Sequence, residues 1–180
     1  MTHEMIMSGF GGQGIMLMGQ LMTYAGMIEE KNVSWIPSYG PEMRGGTAYC
    51  SVIVSDEPIG APMVSEPNIV VAMNLPSLHK FEPVIHPGGA LIINSSLIDQ
   101  EAKRTDIKIF KIPANDIADE LGNAKVTNMV VLGAIVAATS CIELESVLKA
   151  FTKMFAKKPA LLEINEKALR RGAEYIQKNC

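Results

Sequence analysis

Apolar residues change their spacing along this chain, and each change predicts where an element begins or ends. Residues 4–8 form a short apolar stretch typical of a strand, and they run directly into glycines. The apolar residues that follow, among them Met18, Leu21 and Met22, recur every three or four positions, as they do in a helix. The chain is therefore predicted to open as strand, turn and helix.

The same reading predicts further strands at residues 33–36, 46–55, 68–73, 89–94 and 107–112. Segments 68–73 and 89–94 are apolar throughout, which is typical of strands buried on both faces. A short helix is predicted after Pro76. Because helices connect most of the strands, we expect an α/β fold in a single domain (1–180). Its sheet should be Rossmann-like, mostly parallel or mixed, and flanked by helices.

The last third of the chain is predicted to be helical, at residues 115–121, 127–139, 143–155 and 159–178. Pro159 suits the first position of the last helix. Segment 127–139 is apolar on nearly all sides, so we expect it to be buried within the domain or against a partner. Gly133 should allow a neighbouring element to approach it closely.

Composition narrows the possible partners. The 180 residues are 48% hydrophobic and 19% charged, which is ordinary for a globular protein, and the net charge is -3. No basic run is long enough to hold a polyanion, so we expect no nucleic-acid partner. The longest apolar run is well short of the roughly 20 residues that span a bilayer, and the first residues do not resemble a signal peptide. We expect a cytoplasmic chain without a membrane partner.

The cysteines argue against a metal centre in this chain. Cys50, Cys141 and Cys180 are far apart and include no C-x-x-C pair, so neither a disulfide framework nor a zinc site is indicated. Three cysteines also cannot supply the four ligands of a complete iron–sulfur cluster. The three histidines are scattered, and no nucleophile motif is present. We predict no catalytic residue and no metal ligand here.

A glycine-rich segment is the first candidate binding site. It places a G-x-G-x-x-G pattern between the first strand and the first helix, where backbone N–H groups can approach a phosphate. The candidate residues are Gly9, Phe10, Gly11, Gly12, Gln13 and Gly14. NAD binding also calls for an acidic residue at the end of the second strand, which here reads IPSYG. The alternative interpretation is that the glycines only permit a tight turn and close packing.

A polar loop, SYGPEMRGG at residues 38–46, is the second candidate. Its candidate ligand-binding residues are Ser38, Tyr39, Met43, Arg44 and Gly45. The Arg44 guanidinium can bind a phosphate or carboxylate through two parallel hydrogen bonds. The alternative is a solvated ion pair between Arg44 and Glu42.

Three segments, GFGGQGI, SYGPEMRGGTAYCSVIVSDEPIGAP and KVTNMVVLGA, together resemble the gamma subunit of 2-oxoacid:acceptor (ferredoxin) oxidoreductases. The resemblance spans nearly the whole chain, and the spelling SYGPEMRGGTA is closest to the 2-oxoglutarate and branched-chain types. It implies a subunit that is inactive alone. The assembled complex would convert a 2-oxoacid and coenzyme A to acyl-CoA, carbon dioxide and reduced ferredoxin.

The resemblance also implies partners. Alpha and beta subunits, with or without a ferredoxin-like delta subunit, would hold thiamine diphosphate, magnesium and the iron–sulfur clusters. We expect this chain to hold none of these, and to contact coenzyme A through the glycine segment and Arg44. Two alternatives stay open: a Rossmann-like nucleotide-binding enzyme, and a scaffold subunit without a ligand of its own.

Overall fold

The computed structural model of the protein describes residues 1–38 and 47–180. The strands are β1 (Thr2–Gly9), β2 (Asn32–Ser38), β3 (Ala48–Ser55), β4 (Ile69–Ala72), β5 (Ala90–Asn94) and β6 (Lys108–Ile112). The helices are α1 (Ile15–Ile28), α2 (Leu75–Phe81), α3 (Ala114–Glu120), α4 (Thr127–Thr139), α5 (Leu144–Met154) and α6 (Leu162–Asn179). Short 3-10 turns occupy Glu82–Val84, Ala124–Val126 and Pro159–Leu161.

The six strands form one mixed sheet in the order β2-β3-β1-β4-β5-β6. Strands β1, β4, β5 and β6 are parallel, whereas β3 runs antiparallel to both of its neighbours, β1 and β2. Helix α2 connects β4 to β5, no helix lies among the described residues between β5 and β6, and helices cover both faces of the sheet. The expected α/β fold with a mixed sheet flanked by helices is therefore confirmed.

Helix and strand bounds differ from the predicted ones mainly near prolines. Pro159 begins a 3-10 turn and not the last α-helix, which starts at Leu162. A proline at the start of a helix lacks only an N–H that would be unpaired anyway, and this suits a 3-10 turn equally well. The α2 helix begins before Pro76, because the Asn74 side chain accepts a hydrogen bond from Ser77 N at 2.9 Å and caps it.

The two faces of the sheet carry unequal cores. The larger core packs α1 and the helices after β6 against one face, and a smaller one packs α2 against the other. Helix α4 is buried from Thr127 to Val136, which confirms the expected burial of segment 127–139. A Cβ built at Gly133 would lie 1.9 Å from the Leu169 carbonyl oxygen of α6, so this glycine does permit a close helix crossing.

None of the helices in the described part of the chain is long and apolar enough to cross a membrane.

Parallel strands place their carboxyl ends at one edge of the sheet, and β1 ends there at Gly9. Gly9 is paired with Ala48, and Ser38 with Tyr49. The end of β2 and the start of β3 therefore lie at the same edge as the end of β1.

Candidate functional site

The glycine turn, residues 9–14, connects β1 to α1 as the sequence predicts. Gly12 and Gly14 have φ angles of 89° and 76°, the left-handed region that favours glycine. The Phe10 N–H donates to Gln13 Oε1 at 2.6 Å, and Gly14 is the N-terminal cap of α1. The side chain of Gln13, itself part of the turn, thus stabilises the turn.

Two of its glycines are also required by packing. A Cβ at Gly9 would lie 2.8 Å from Met73 Cβ and 2.9 Å from Ile15 Cδ1. A Cβ at Gly14 would lie 2.5 Å from Asn128 Nδ2, in the first turn of α4. Both distances are shorter than real Cβ contacts. The structural interpretation therefore applies to Gly9 and Gly14, while no atom lies within 4 Å of a Cβ built at Gly12.

A cavity of about 420 Å³, here called the turn cavity, lies between the glycine turn and the start of α4. Its lining comes from the glycine turn and α1, from the residues after β4 and β6, and from the segment that leads into α4. The lining residues are Gly12, Gln13, Gly14, Leu17, Met73, Asn115, Ala124, Lys125, Thr127 and Asn128.

The electrostatics of the turn cavity favour an anion. Helices α1 and α4 both begin at its wall, and neither has an acidic residue in its first turn, so no carboxylate of those turns offsets their positive ends. Lys125 adds an exposed ammonium group, and none of the described lining residues is Asp or Glu. Among the described residues, backbone N–H groups, two helix ends and the cation of Lys125 are the components of a phosphate site.

Asparagines stand at the carboxyl ends of three consecutive parallel strands: Asn74 follows β4, Asn94 ends β5 and Asn115 follows β6. The Asn94 amide donates to Asn115 Oδ1 at 2.8 Å, and its own oxygen accepts from Ala114 N at 3.2 Å. Asn94 therefore positions Asn115 at the cavity wall. The buried Asn74 caps α2 through its oxygen, while its Nδ2 has no hydrogen-bond partner among the described residues.

Apart from Gly9, the predicted site residues divide into four groups. Gly12, Gln13 and Gly14 line the turn cavity, and Phe10 and Gly11 line a smaller depression of about 270 Å³, to which Gly12 and Gly14 also contribute. Ser38 ends β2, two strands away from β1. Tyr39, Met43, Arg44 and Gly45 lie outside the described residues.

Sequence reasoning missed the far wall of the cavity, formed by Asn115, Lys125, Thr127 and Asn128. A signal was present for Asn115, which follows the predicted strand 107–112 by three residues, at the edge where ligands bind in an open sheet. KVTN also belongs to one of the three segments that carry the family resemblance. Its proximity to the glycine turn depends on the strand order and is not visible in either segment alone.

The strand order also bears on dinucleotide binding. In a Rossmann site the second strand lies beside the first and carries the ribose-binding acid. Here β3 separates β1 from β2 by two strand spacings, about 10 Å. Glu29 follows α1, at the end of the helix far from the glycine turn, where it pairs with Lys31 and accepts from Glu143 N. Neither the residue at the end of the second strand nor the strand order thus matches an NAD-binding Rossmann site.

The described residues do not fit a metal ion or an iron–sulfur cluster. No three side chains of His, Cys, Asp or Glu are grouped as ligands anywhere in residues 1–38 and 47–180. Cys50 and Cys141 are buried and Cys180 is exposed. Burial raises the pKa of the Cys50 thiol to about 12 and also raises that of Cys141, so neither is a ready thiolate ligand.

Comparison with known proteins gives consistent matches over nearly the whole chain. The sequence profile of the pyruvate ferredoxin/flavodoxin oxidoreductase family matches residues 4–175. Ketoisovalerate oxidoreductase subunit VorA of Methanothermobacter marburgensis is 36% identical over 96% of this chain and 36% of VorA. 2-Oxoglutarate synthase subunit KorC of Methanocaldococcus jannaschii is 37% identical over 83% of this chain and 82% of KorC.

The chain thus spans about a third of the length of VorA but most of the length of KorC. Among solved structures, the gamma subunit of a keto/oxoacid ferredoxin oxidoreductase from Geobacter sulfurreducens has a TM-score of 0.88 and 29% identity. That similarity covers 99% of this chain and 98% of the other. The two chains therefore share the fold along their whole length.

Proposed function

Because the chain belongs to the pyruvate ferredoxin/flavodoxin oxidoreductase family, we propose that it is the gamma-type subunit of a thiamine-diphosphate-dependent 2-oxoacid:ferredoxin oxidoreductase. The Geobacter gamma subunit and KorC are similar to it along most of their lengths, which supports a subunit of this size. Its partners would be alpha and beta subunits, with or without a ferredoxin-like delta subunit. These would contain thiamine diphosphate, magnesium and the clusters, for which the described residues offer no ligands.

The substrate that we propose is 2-oxoglutarate. KorC is named for 2-oxoglutarate, and VorA, similar at nearly the same identity, is named for ketoisovalerate. The polar loop spelling favours the same two substrates. Acyl-CoA formation by the purified complex should be fastest with 2-oxoglutarate, compared at equal concentration with 2-oxoisovalerate and pyruvate. A complex that prefers another 2-oxoacid would reject this substrate while leaving the subunit role intact.

Within that complex we propose that this chain binds a phosphate of coenzyme A in the turn cavity. The observation that carries the proposal is the convergence there of two helix N-termini without acidic neighbours and of Lys125. Arg44 would contribute from the polar loop, whose two flanks lie at the same edge of the sheet. Asn115, Thr127 and Asn128 supply polar groups at the opposite wall.

The role of this chain in the reaction is then to hold the thiol-bearing substrate, and the bond-making steps occur on its partners. Phosphate contacts far from the reacting thiol improve binding equally in the ground and transition states. Removing one of them should therefore raise the KM for coenzyme A without a matching loss of kcat.

The test is steady-state kinetics of the assembled complex carrying Lys125→Ala or Arg44→Ala. Each variant should raise the apparent KM for coenzyme A about tenfold, which is about 1.4 kcal/mol of lost phosphate binding, and leave the KM for the 2-oxoacid unchanged. Lys108→Ala is the matched control, because Lys108 is an exposed lysine on the edge strand β6.

Unchanged coenzyme A kinetics in both variants would refute the contact. Poor assembly of either variant, with normal kinetics of the complex that survives, would instead support a scaffold role. Turnover by the isolated chain with a nucleotide substrate would favour the Rossmann-like enzyme and reject the subunit assignment.

A further inference from the structure

A second concave surface lies away from the turn cavity, between α1 and α5. This groove, here called the α1–α5 groove, has a volume of about 500 Å³. It is lined by Tyr24, Met27, Ile28, Ala150, Lys153 and Met154. Tyr24 and Met27 are 50% and 56% exposed, so large apolar side chains face solvent here.

The composition of α1 sets it apart from the other long helix of the same layer. None of its fourteen residues is charged, although Met16, Gln20, Tyr24 and Met27 are at least partly exposed. By contrast, seven of the eighteen residues of α6 are charged. A surface helix with one side in the core normally carries charges on the other. The exposed side of α1 instead has the methionine and aromatic content of an interface centre.

Lysines border the groove on its α5 side. Lys149 and Lys153 are exposed and one helical turn apart, so they share a face of α5. Among the described residues, the lysines that do form ion pairs with side-chain carboxylates are Lys31, Lys111, Lys167 and Lys178. Lys153 lines the groove, and among the described residues neither lysine has a carboxylate partner, so this side is positively charged on a chain whose net charge is -3.

The walls of the groove are fixed relative to each other. Lys31 Nζ donates to the Cys141 carbonyl at 3.1 Å, and Glu143 N donates to Glu29 Oε1 at 2.7 Å. These bonds tie the end of α1 to the start of α5. Phe151 is buried behind the groove, with its ring 4.6 Å from that of Phe155. A partner would meet a preformed surface, so binding would cost little ordering of this chain.

We infer that the α1–α5 groove receives an apolar segment, flanked by Asp or Glu, of a partner subunit in the oxidoreductase complex. The inference rests on the proposed subunit role. Two or three apolar side chains fill a groove of this size, as in other helix-in-groove contacts, and acidic neighbours would pair with Lys149 and Lys153.

Other occupants fit the groove less well. In a two-fold symmetric dimer the same patch meets itself, so the lysines of two copies would be brought together and repel. Membranes bind helices that present a protruding apolar face, whereas this surface is concave.

The experiment uses the assembled complex, purified through a tag on the thiamine-binding subunit. The fraction of complexes that retain this chain is measured at increasing NaCl concentration. Met27→Asp should lower retention at least about tenfold even at low salt, because it puts a charge in the apolar floor. Lys149→Glu with Lys153→Glu should lower the salt concentration at which the chain dissociates, because like charges would then face each other.

Two controls match these changes elsewhere on the chain. Val84→Asp places the same charge at a side chain that is 40% exposed beside α2, on the other side of the sheet. Lys103→Glu reverses an exposed lysine in the β5–β6 connection. Both should be retained like the wild type, and all variants should keep the wild-type Tm.

The outcomes separate the two proposals. If the wild-type chain is not retained by any thiamine-binding subunit, the proposed function fails. If it is retained and the groove variants behave like it, only the groove inference is overturned. Two further results would overturn it as well: a dimer of the isolated chain that Met27→Asp dissociates, or sedimentation with phosphatidylglycerol vesicles that Met27→Asp abolishes.

Discussion

At the scale of single residues, Gly12 and Gly14 have similar backbone conformations in different surroundings. Gly12→Ala should cost about 1–2 kcal/mol, because an alanine is strained at its φ of 89°. Gly14→Ala should cost about 1–3 kcal/mol more than that, because its Cβ would also contact the Asn128 amide. Urea unfolding of the two variants measures the difference directly.

The same pair of residues offers an internal control. Asn128→Ala removes the group that the new Cβ would meet, so it should recover part of the loss when combined with Gly14→Ala. A double-mutant cycle measures this coupling. Equal losses in Gly12→Ala and Gly14→Ala, with no coupling to Asn128, would show that backbone conformation alone requires these glycines.

The buried thiol of Cys50 gives a pH-dependent prediction. Burial raises its pKa to about 12, from an ordinary value of 9.0. Between these values an unfolded chain releases the thiol proton and the folded chain keeps it, so the free energy of unfolding should fall as pH rises. Urea unfolding between pH 8 and 11 should show a smaller decrease of the unfolding free energy with pH for Cys50→Ala than for wild type.

At pH 8 a thiol reagent should modify only Cys180 rapidly.

At the scale of the elements, local signals predicted each strand and helix in the described residues. The C-terminal bound of α4 matches because the apolar run ends at Ala138 and the left-handed φ of 50° at Ser140 stops the helix. Pro159 was assigned to the last α-helix because a proline, which lacks an N–H, suits the first turn of an α-helix and a 3-10 turn equally well. What an element contacts was harder to predict, since Asn128 meets Gly14 only through the tertiary fold.

The crossing of α4 and α6 tests element packing. Gly133 and Gly172 each bring one helix against the other, and a Cβ at Gly172 would lie 1.9 Å from the Val130 carbonyl oxygen. Alanine is favoured over glycine within a helix by about 1 kcal/mol. The clash with rigid backbone should outweigh this, so we expect Gly133→Ala to lose about 1–3 kcal/mol net and Gly133→Leu more.

Thermal unfolding measures these variants, with Ala138→Leu as the control at a half-buried position of the same helix. An increase in Tm for Gly133→Ala would mean that helix propensity prevails and that the two helices separate without strain.

At the scale of the whole molecule, strand order decides which loops meet. The sequence predicted a turn after β1 and a polar loop after β2, both at a carboxyl edge. It did not indicate that β3 inserts between these strands, because non-local pairing leaves no periodic signal in either strand. The site was therefore only half predicted: the glycine turn was found, and the wall around Lys125 was not.

The isolated chain should be colourless and inactive, because its described residues offer no cluster ligands. Purified chain should show no iron–sulfur absorbance and no oxidation of 2-oxoglutarate with coenzyme A. Adding the partner subunits should restore turnover, and the partners without this chain serve as the control. Oxidation of a 2-oxoacid by this chain alone would refute the subunit role.

The central position of β1 has a consequence for synthesis on the ribosome. Its neighbours are β3 and β4, and Thr2 is paired with Ser55 while Ser8 is paired with Ala72. Strand β1 emerges before both of its neighbours, so its two edges are paired only after the chain has been made as far as Ala72. During that interval β1 presents Met5, Ile6 and Met7 on an open strand, which makes this stretch the natural target of a chaperone.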